Sequence, residues 1–131
     1  MLRLWIIWFA LLMGQAMFLA MLVLVILPQR TQTNPPVPAL RWVDAGMLVT
    51  VVPIAFLVRA SLFRRARNES ETNPVLYATG NIVFWAACES VAFLGLTAAF
   101  VNGSLKPTMF VVAIAVGLQV LAFPRPPQAD P

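Results

Sequence analysis

Four long apolar runs dominate this chain of 131 residues. An α-helix needs about 20 predominantly apolar residues to cross the roughly 30 Å hydrocarbon core of a bilayer. Lipid offers no hydrogen bonds to an exposed backbone, and a helix satisfies its own. The sequence therefore predicts an all-α, polytopic membrane protein that forms one domain over residues 1–131. The predicted transmembrane helices cover about residues 4–27, 43–63, 77–101 and 107–123.

The composition supports the membrane class. Hydrophobic residues make up 60% of the chain and charged residues only 11%, whereas about 25% is usual in soluble domains. The net charge of +4 could suggest nucleic acid, but four of the nine basic residues (Arg59, Arg64, Arg65 and Arg67) lie in one short stretch between apolar runs. That pattern is typical of contact with lipid headgroups, so the bilayer is the expected partner and nucleic acid is not.

The distribution of basic residues predicts the orientation. Four spans bring both termini to one side, which collects Arg3, Arg59, Arg64, Arg65, Arg67 and Arg125, whereas Arg30, Arg41 and Lys106 lie on the other. The positive-inside rule then places both termini and a basic loop over residues 64–74 in the cytoplasm. Residues 124–131 are predicted to be a disordered tail. The expected location is the cell membrane, as a multi-pass protein of a bacterial inner membrane.

The sequence lacks the residues of most cofactor sites. It contains no histidine and one cysteine, Cys88, which lies within a predicted span. His-ligated haem, His-containing metal sites and Ser-His or Cys-His catalysis are therefore excluded. We expect no cofactor, no metal site and no enzymatic activity.

Glu89 is the residue that most invites a functional hypothesis. Twelve residues lie on each side of it between Tyr77 and Val101, so its carboxyl is predicted near the bilayer midplane. An acidic side chain at that depth costs roughly 2.5–3.5 kcal/mol on insertion scales, and such a residue normally faces protein or water. The polar residues expected to neighbour it are Asn81, Trp85, Gln15 and Gln119.

Two other polar residues leave alternatives open. Gln15, beside Gly14, is either an amide that packs helices together or part of an ion path. Asp44 lies at the head of the second predicted span. It either stabilises the N-terminus of that helix electrostatically or serves as a point of proton entry. The segment Pro35-Pro36-Val37-Pro38 is expected to be an extended, stiff connector.

The segment Glu89-Ser-Val-Ala92-Phe-Leu-Gly95-Leu96 resembles the carboxylate-bearing helix of the ring subunit, subunit c, of rotary ATP synthases. In that family a Glu is followed by a small residue, by an Ala three positions on and by a Gly six positions on. The resemblance implies that Glu89 carries the ion and that neighbouring copies close around it. It covers this short segment closely, and the acid lies in the third of four spans, which indicates a similar helix on another scaffold.

Two functions follow from these patterns. The first is an accessory or structural subunit of a larger membrane complex, in which Glu89 packs against a partner helix. The alternative is a proton- or ion-handling oligomer similar to subunit c, with Glu89 as the titrating carboxylate. The expected partners are accordingly other membrane subunits or further copies of this chain.

Overall fold

A computed structural model describes residues 2–26, 28, 37–68, 73–103, 106 and 108–125, and within these ranges the protein is a bundle of four long α-helices. Helix α1 is Leu2–Met21 and continues as a π-helix over Leu22–Ile26. Helix α2 is Pro38–Asn68, α3 is Pro74–Asn102 and α4 is Thr108–Leu121. The described ranges contain no strand, so the predicted all-α class is confirmed for them.

Three of the helices are long and apolar enough to cross a membrane. They are the continuous segment Leu2–Ile26, α2 and α3, with 25, 31 and 29 residues. Helix α4 has 14 residues and is therefore only about 21 Å long at 1.5 Å per residue, short of the roughly 30 Å hydrocarbon core. The predicted fourth span is thus corrected to a shorter apolar helix. It ends close to Pro124, whose nitrogen has no hydrogen to donate.

Helix α2 is longer at both ends than predicted. It begins at Pro38, the last proline of the predicted connector, because proline is well suited to the first position of a helix. It continues through Pro53 to Asn68. Residues 64–68 of the predicted basic loop are therefore helical, as alanine and arginine both favour helices. Residues 69–72 of that loop and residues 35–36 of the connector lie outside the described residues.

Defined caps fix both ends of α3. The side chain of Asn73 accepts a hydrogen bond from the backbone N–H of Val75 at 3.0 Å, and Pro74 occupies the first helical position. Gly103 ends the helix with φ 63°, a left-handed conformation that glycine adopts without steric cost. The boundaries therefore lie close to the predicted span of 77–101.

Helix α3 is the centre of the bundle. Of the 18 most apolar consecutive residues of α3, 50% are buried. The corresponding share is 11% in Leu2–Ile26 and 11% in α2. The ring centroids of Phe56 on α2 and Phe84 on α3 are 6.3 Å apart. Those of Phe18 on α1 and Phe93 on α3 are 5.6 Å apart. The outer faces are apolar, with Val49 70% exposed, as expected of helices that contact lipid.

The two ends of the described chain lie side by side. Trp5 on α1 and Phe123 after α4 have ring centroids 6.1 Å apart. Pro124 is fully buried, and the Tyr77 hydroxyl donates a hydrogen bond to the backbone carbonyl of Arg125. The predicted disordered tail is therefore corrected at residues 124–125, which pack against α3. Residues 126–131 lie outside the described part.

Candidate functional site

Glu89 lies one residue from the midpoint of α3, at the edge of the buried face of that helix. On its inner side Trp85 and Ala92 are fully buried, and on its outer side Ala86 and Ser90 are exposed. Glu89 itself is partly exposed. Within the described ranges, none of the hydrogen bonds reaches its carboxylate. The Glu89 carboxyl therefore lies at the bundle surface and has no polar partner in the described part of the chain.

Trp85 is engaged inside the bundle. Its indole N–H donates a hydrogen bond to the backbone carbonyl of Ala122 at 2.8 Å. Ala122 directly follows α4, where the last carbonyl groups of a helix have no partner within the helix. The tryptophan therefore satisfies the end of α4 and holds it against α3. It does not bond to Glu89, the neighbour that the sequence suggested.

Gln15 and Gln119 form a buried amide pair between α1 and α4. The side-chain N–H of Gln15 donates to the side-chain carbonyl of Gln119 at 2.8 Å. The indole N–H of Trp8 donates to the backbone carbonyl of Gln119 at 2.9 Å. The Gln15 carbonyl oxygen and the Gln119 amide nitrogen are buried with no hydrogen-bond partner among the described residues. The sequence predicted both glutamines, but their pairing emerges only in the fold.

The amide pair lies at the same depth as Glu89. Helices α3 and α4 run antiparallel, since Trp85 bonds to Ala122 at one end of their contact. At the other end a Cβ added at Gly95 would lie 2.6 Å from Val112 Cγ2. Between these two contacts, each residue forward along α3 lies opposite one residue backward along α4. Gln119 is therefore level with Cys88, the residue before Glu89. Glu89 and the two glutamines therefore occupy one layer near the middle of the bundle, although no hydrogen bond joins them.

Asn81 pairs with Arg59 rather than with Glu89. The Arg59 guanidinium donates to the Asn81 side-chain carbonyl at 3.0 Å. It also lies over the rings of Phe63 and Phe84, at 4.9 and 5.3 Å from their centroids. Arg59 is only partly exposed, so the structure gives it an internal contact in place of the predicted contact with lipid headgroups.

The other predicted headgroup arginines lie at the end of α2. Arg64, Arg65 and Arg67 are exposed, and Ala66 between them is buried. Helix α2 ends where α3 begins, since the backbone N–H of Asn73 donates to the carbonyl of Ala66. The start of α1, where Arg3 is exposed, lies at the same end, because Trp5 contacts Phe123 and Tyr77 of α3 bonds to the Arg125 carbonyl. The arrangement provides a cationic surface suited to anionic headgroups.

Asp44 is a buried polar residue whose environment the sequence does not predict. It is fully buried in α2, and both carboxylate oxygens lack a hydrogen-bond partner among the described residues. The predicted role at a helix N-terminus is wrong, because α2 begins at Pro38 and Asp44 lies beyond its first turn. The sequence does contain a signal for the position of Asp44. Proline is favoured at the first position of a helix, and a start at Pro38 puts Asp44 inside α2.

Comparison of the chain with protein-family models, with curated proteins and with solved structures gave no match. The resemblance to subunit c therefore remains one of a short segment around Glu89. What the fold establishes is a helical bundle with three candidate membrane spans. Its polar groups form a central layer of two glutamines and Glu89, an internal Arg59–Asn81 pair and the buried Asp44.

Proposed function

We propose that this protein is an integral membrane subunit that associates with other membrane helices along the surface around Glu89. One observation supports this best: the Glu89 carboxyl is partly exposed at mid-helix and has no polar partner within the described chain. A carboxyl at that depth is expensive unless protein or water accompanies it. An adjacent helix of another subunit, or of a second copy, would supply the missing donor.

The surface beside Glu89 suits a close helix contact. Ala86 is exposed one turn earlier, and small residues let helix backbones approach in membranes. The hydroxyl of Ser90 donates to the Ala86 carbonyl at 2.8 Å within α3, so Glu89 is the residue there with hydrogen-bonding capacity to offer a partner. We further propose that the arginine-rich end of the bundle faces the cytoplasm of a bacterial inner membrane.

Site-specific photocrosslinking tests the association. A photoreactive amino acid at position 86 should capture protein in native membranes. The same amino acid at position 49 should capture little, because Val49 is exposed on a different helix, α2. Glu89→Gln should reduce capture at position 86, whereas Ser90→Ala, the matched control, should leave it unchanged. A product of twice the 14.4 kDa chain mass identifies a second copy, and any other mass a different subunit.

Equal capture at positions 86 and 49, or capture that Glu89→Gln leaves unchanged, would contradict the proposal.

The alternative function is proton or ion handling with Glu89 as the titrating group. It is favoured by the amide pair at the same depth, where Gln15 and Gln119 each keep one hydrogen-bonding atom open. Proteoliposomes would then show an ion flux that Glu89→Gln abolishes, and no such flux would exclude this alternative.

A further inference from the structure

Asp44 fills a narrow slot between three helices. A Cβ added at Gly95 of α3 would lie 2.8 Å from Asp44 Oδ2 and 2.6 Å from Cγ2 of Val112 on α4. Only the missing side chain of glycine therefore leaves room for the carboxyl. The slot has an apolar wall and gives the carboxyl no hydrogen-bond donor from the described residues.

The depth of the slot places Asp44 within the hydrocarbon region. Gly95 is seven residues from the midpoint of α3, or about 10 Å at 1.5 Å per residue. Half of the hydrocarbon core is about 15 Å. A charged carboxylate that is buried without a partner is strongly disfavoured, and such a group neutralises instead.

The charged groups nearest to Asp44 do not offset its charge. On α2 the closest is Arg41, one turn earlier and exposed. On α3 the closest is Glu89, which is itself acidic and six residues from Gly95. Helix α4 contains no charged residue, and Lys106 precedes it. None of these groups forms a hydrogen bond with the Asp44 carboxylate.

A cleft of about 400 Å³ lies between α2 and α4, near the slot. Its lining residues are Arg41, Trp42, Ala45, Thr108, Phe110 and Val111. Ala45 follows Asp44 on α2 and Val111 precedes Val112 on α4, so the cleft lies beside the slot, although Asp44, Gly95 and Val112 are not among its lining residues. The cleft lies between the first turns of α2 and α4, at the end of the bundle opposite the arginine-rich end.

We propose that Asp44 is a proton-binding site, neutral in the folded bundle, that exchanges its proton with water through the cleft lined by Arg41 and Thr108. The proton leaves a hydronium ion in the cleft, binds one carboxylate oxygen of Asp44 and returns to water by the same path. The ligand is thus a proton rather than a metal cation, because a cation of the sodium or calcium type requires several oxygen ligands. This site does not depend on the role proposed for Glu89.

Infrared spectroscopy of the full chain in lipid nanodiscs tests the protonation. The sequence contains only two aspartates, Asp44 and Asp130. Carbon-13 labelling of aspartate at neutral pH should therefore shift the C=O band of a protonated carboxylic acid in the unmutated protein. The shift should persist in Asp130→Asn and disappear in Asp44→Asn. A spectrum of the labelled protein without such a shifted band would overturn the proposal, because Asp44 would then be ionised.

The exchange route is tested on the same band after transfer to deuterium oxide. Replacing the carboxyl proton by deuterium shifts the band, and Ala45→Phe, which fills the cleft, should slow that shift. Ile54→Phe is the matched control, because Ile54 is exposed on α2 outside the cleft. An unchanged exchange rate in Ala45→Phe would refute the route, while the isotope experiment would still report on the protonation itself.

Discussion

Gly95→Ala is the substitution that most directly probes the junction of α2, α3 and α4. An added Cβ would lie 2.6 Å from Val112 Cγ2 and 2.8 Å from Asp44 Oδ2, distances at which something must move. Valine is stiff about χ1 because it is branched at Cβ. The Asp44 carboxyl is fully buried and has no hydrogen-bond partner among the described residues. The helices would therefore have to separate locally.

The expected cost can be set against a matched control. Over-packing a well-filled interior costs typically about 1–3 kcal/mol, and replacing glycine by alanine within a helix returns up to about 1 kcal/mol. Gly117→Ala on α4 gains the same helical term without a clash, because nothing lies within 4 Å of its added Cβ. The free energy of unfolding of Gly95→Ala should therefore be about 1–3 kcal/mol lower than that of Gly117→Ala. This difference is the packing cost alone.

The measurement is unfolding in mixed micelles by titration with a denaturing detergent, followed by circular dichroism. Adding Val112→Ala to Gly95→Ala should recover part of the loss, since it removes one of the two clashing groups. A double-mutant cycle would show this as a favourable interaction energy between the two substitutions. If Gly95→Ala and Gly117→Ala proved equally stable, or if the cycle showed no interaction, the close approach at Gly95 would be refuted.

Two further predictions concern the buried polar pairs. Gln15→Leu alone should lower the free energy of unfolding by roughly 0.6 kcal/mol, the average for hydrogen bonds between membrane helices, and by no more than about 1.7 kcal/mol, their maximum. The double change Gln15→Leu and Gln119→Leu should restore much of that loss because no amide is left unpaired; a double variant less stable than the single would contradict the pairing. Arg59→Lys keeps the charge but loses the planar guanidinium, and should cost about 1 kcal/mol in the same assay. Arg64→Lys on the exposed end of α2 should leave the free energy of unfolding unchanged. If Arg59→Lys and Arg64→Lys lowered it equally, the internal role of Arg59 would be disproved.

The helices themselves could be predicted from the sequence because helix formation in lipid is a local property. A run of apolar residues of sufficient length must satisfy its backbone within itself, whatever the neighbouring helices do. The central position of Glu89 in its helix follows from counting along α3. The ends of the helices are harder to predict, because a proline-rich segment indicates an extended connector, whereas its last proline, Pro38, begins α2.

The pairing of polar residues was decided by the tertiary structure alone. Gln15 and Gln119 are 104 positions apart, and the burial of Asp44 depends on how α2 rotates toward Gly95. Helices that are apolar on nearly every side give little indication of which face turns inward, and lipid supplies no hydrophobic drive between them. Close packing and the pairing of a few polar groups therefore set each rotation. As a result, the sequence identified Glu89 as the central acid, whereas the fold shows that the more deeply enclosed acid is Asp44.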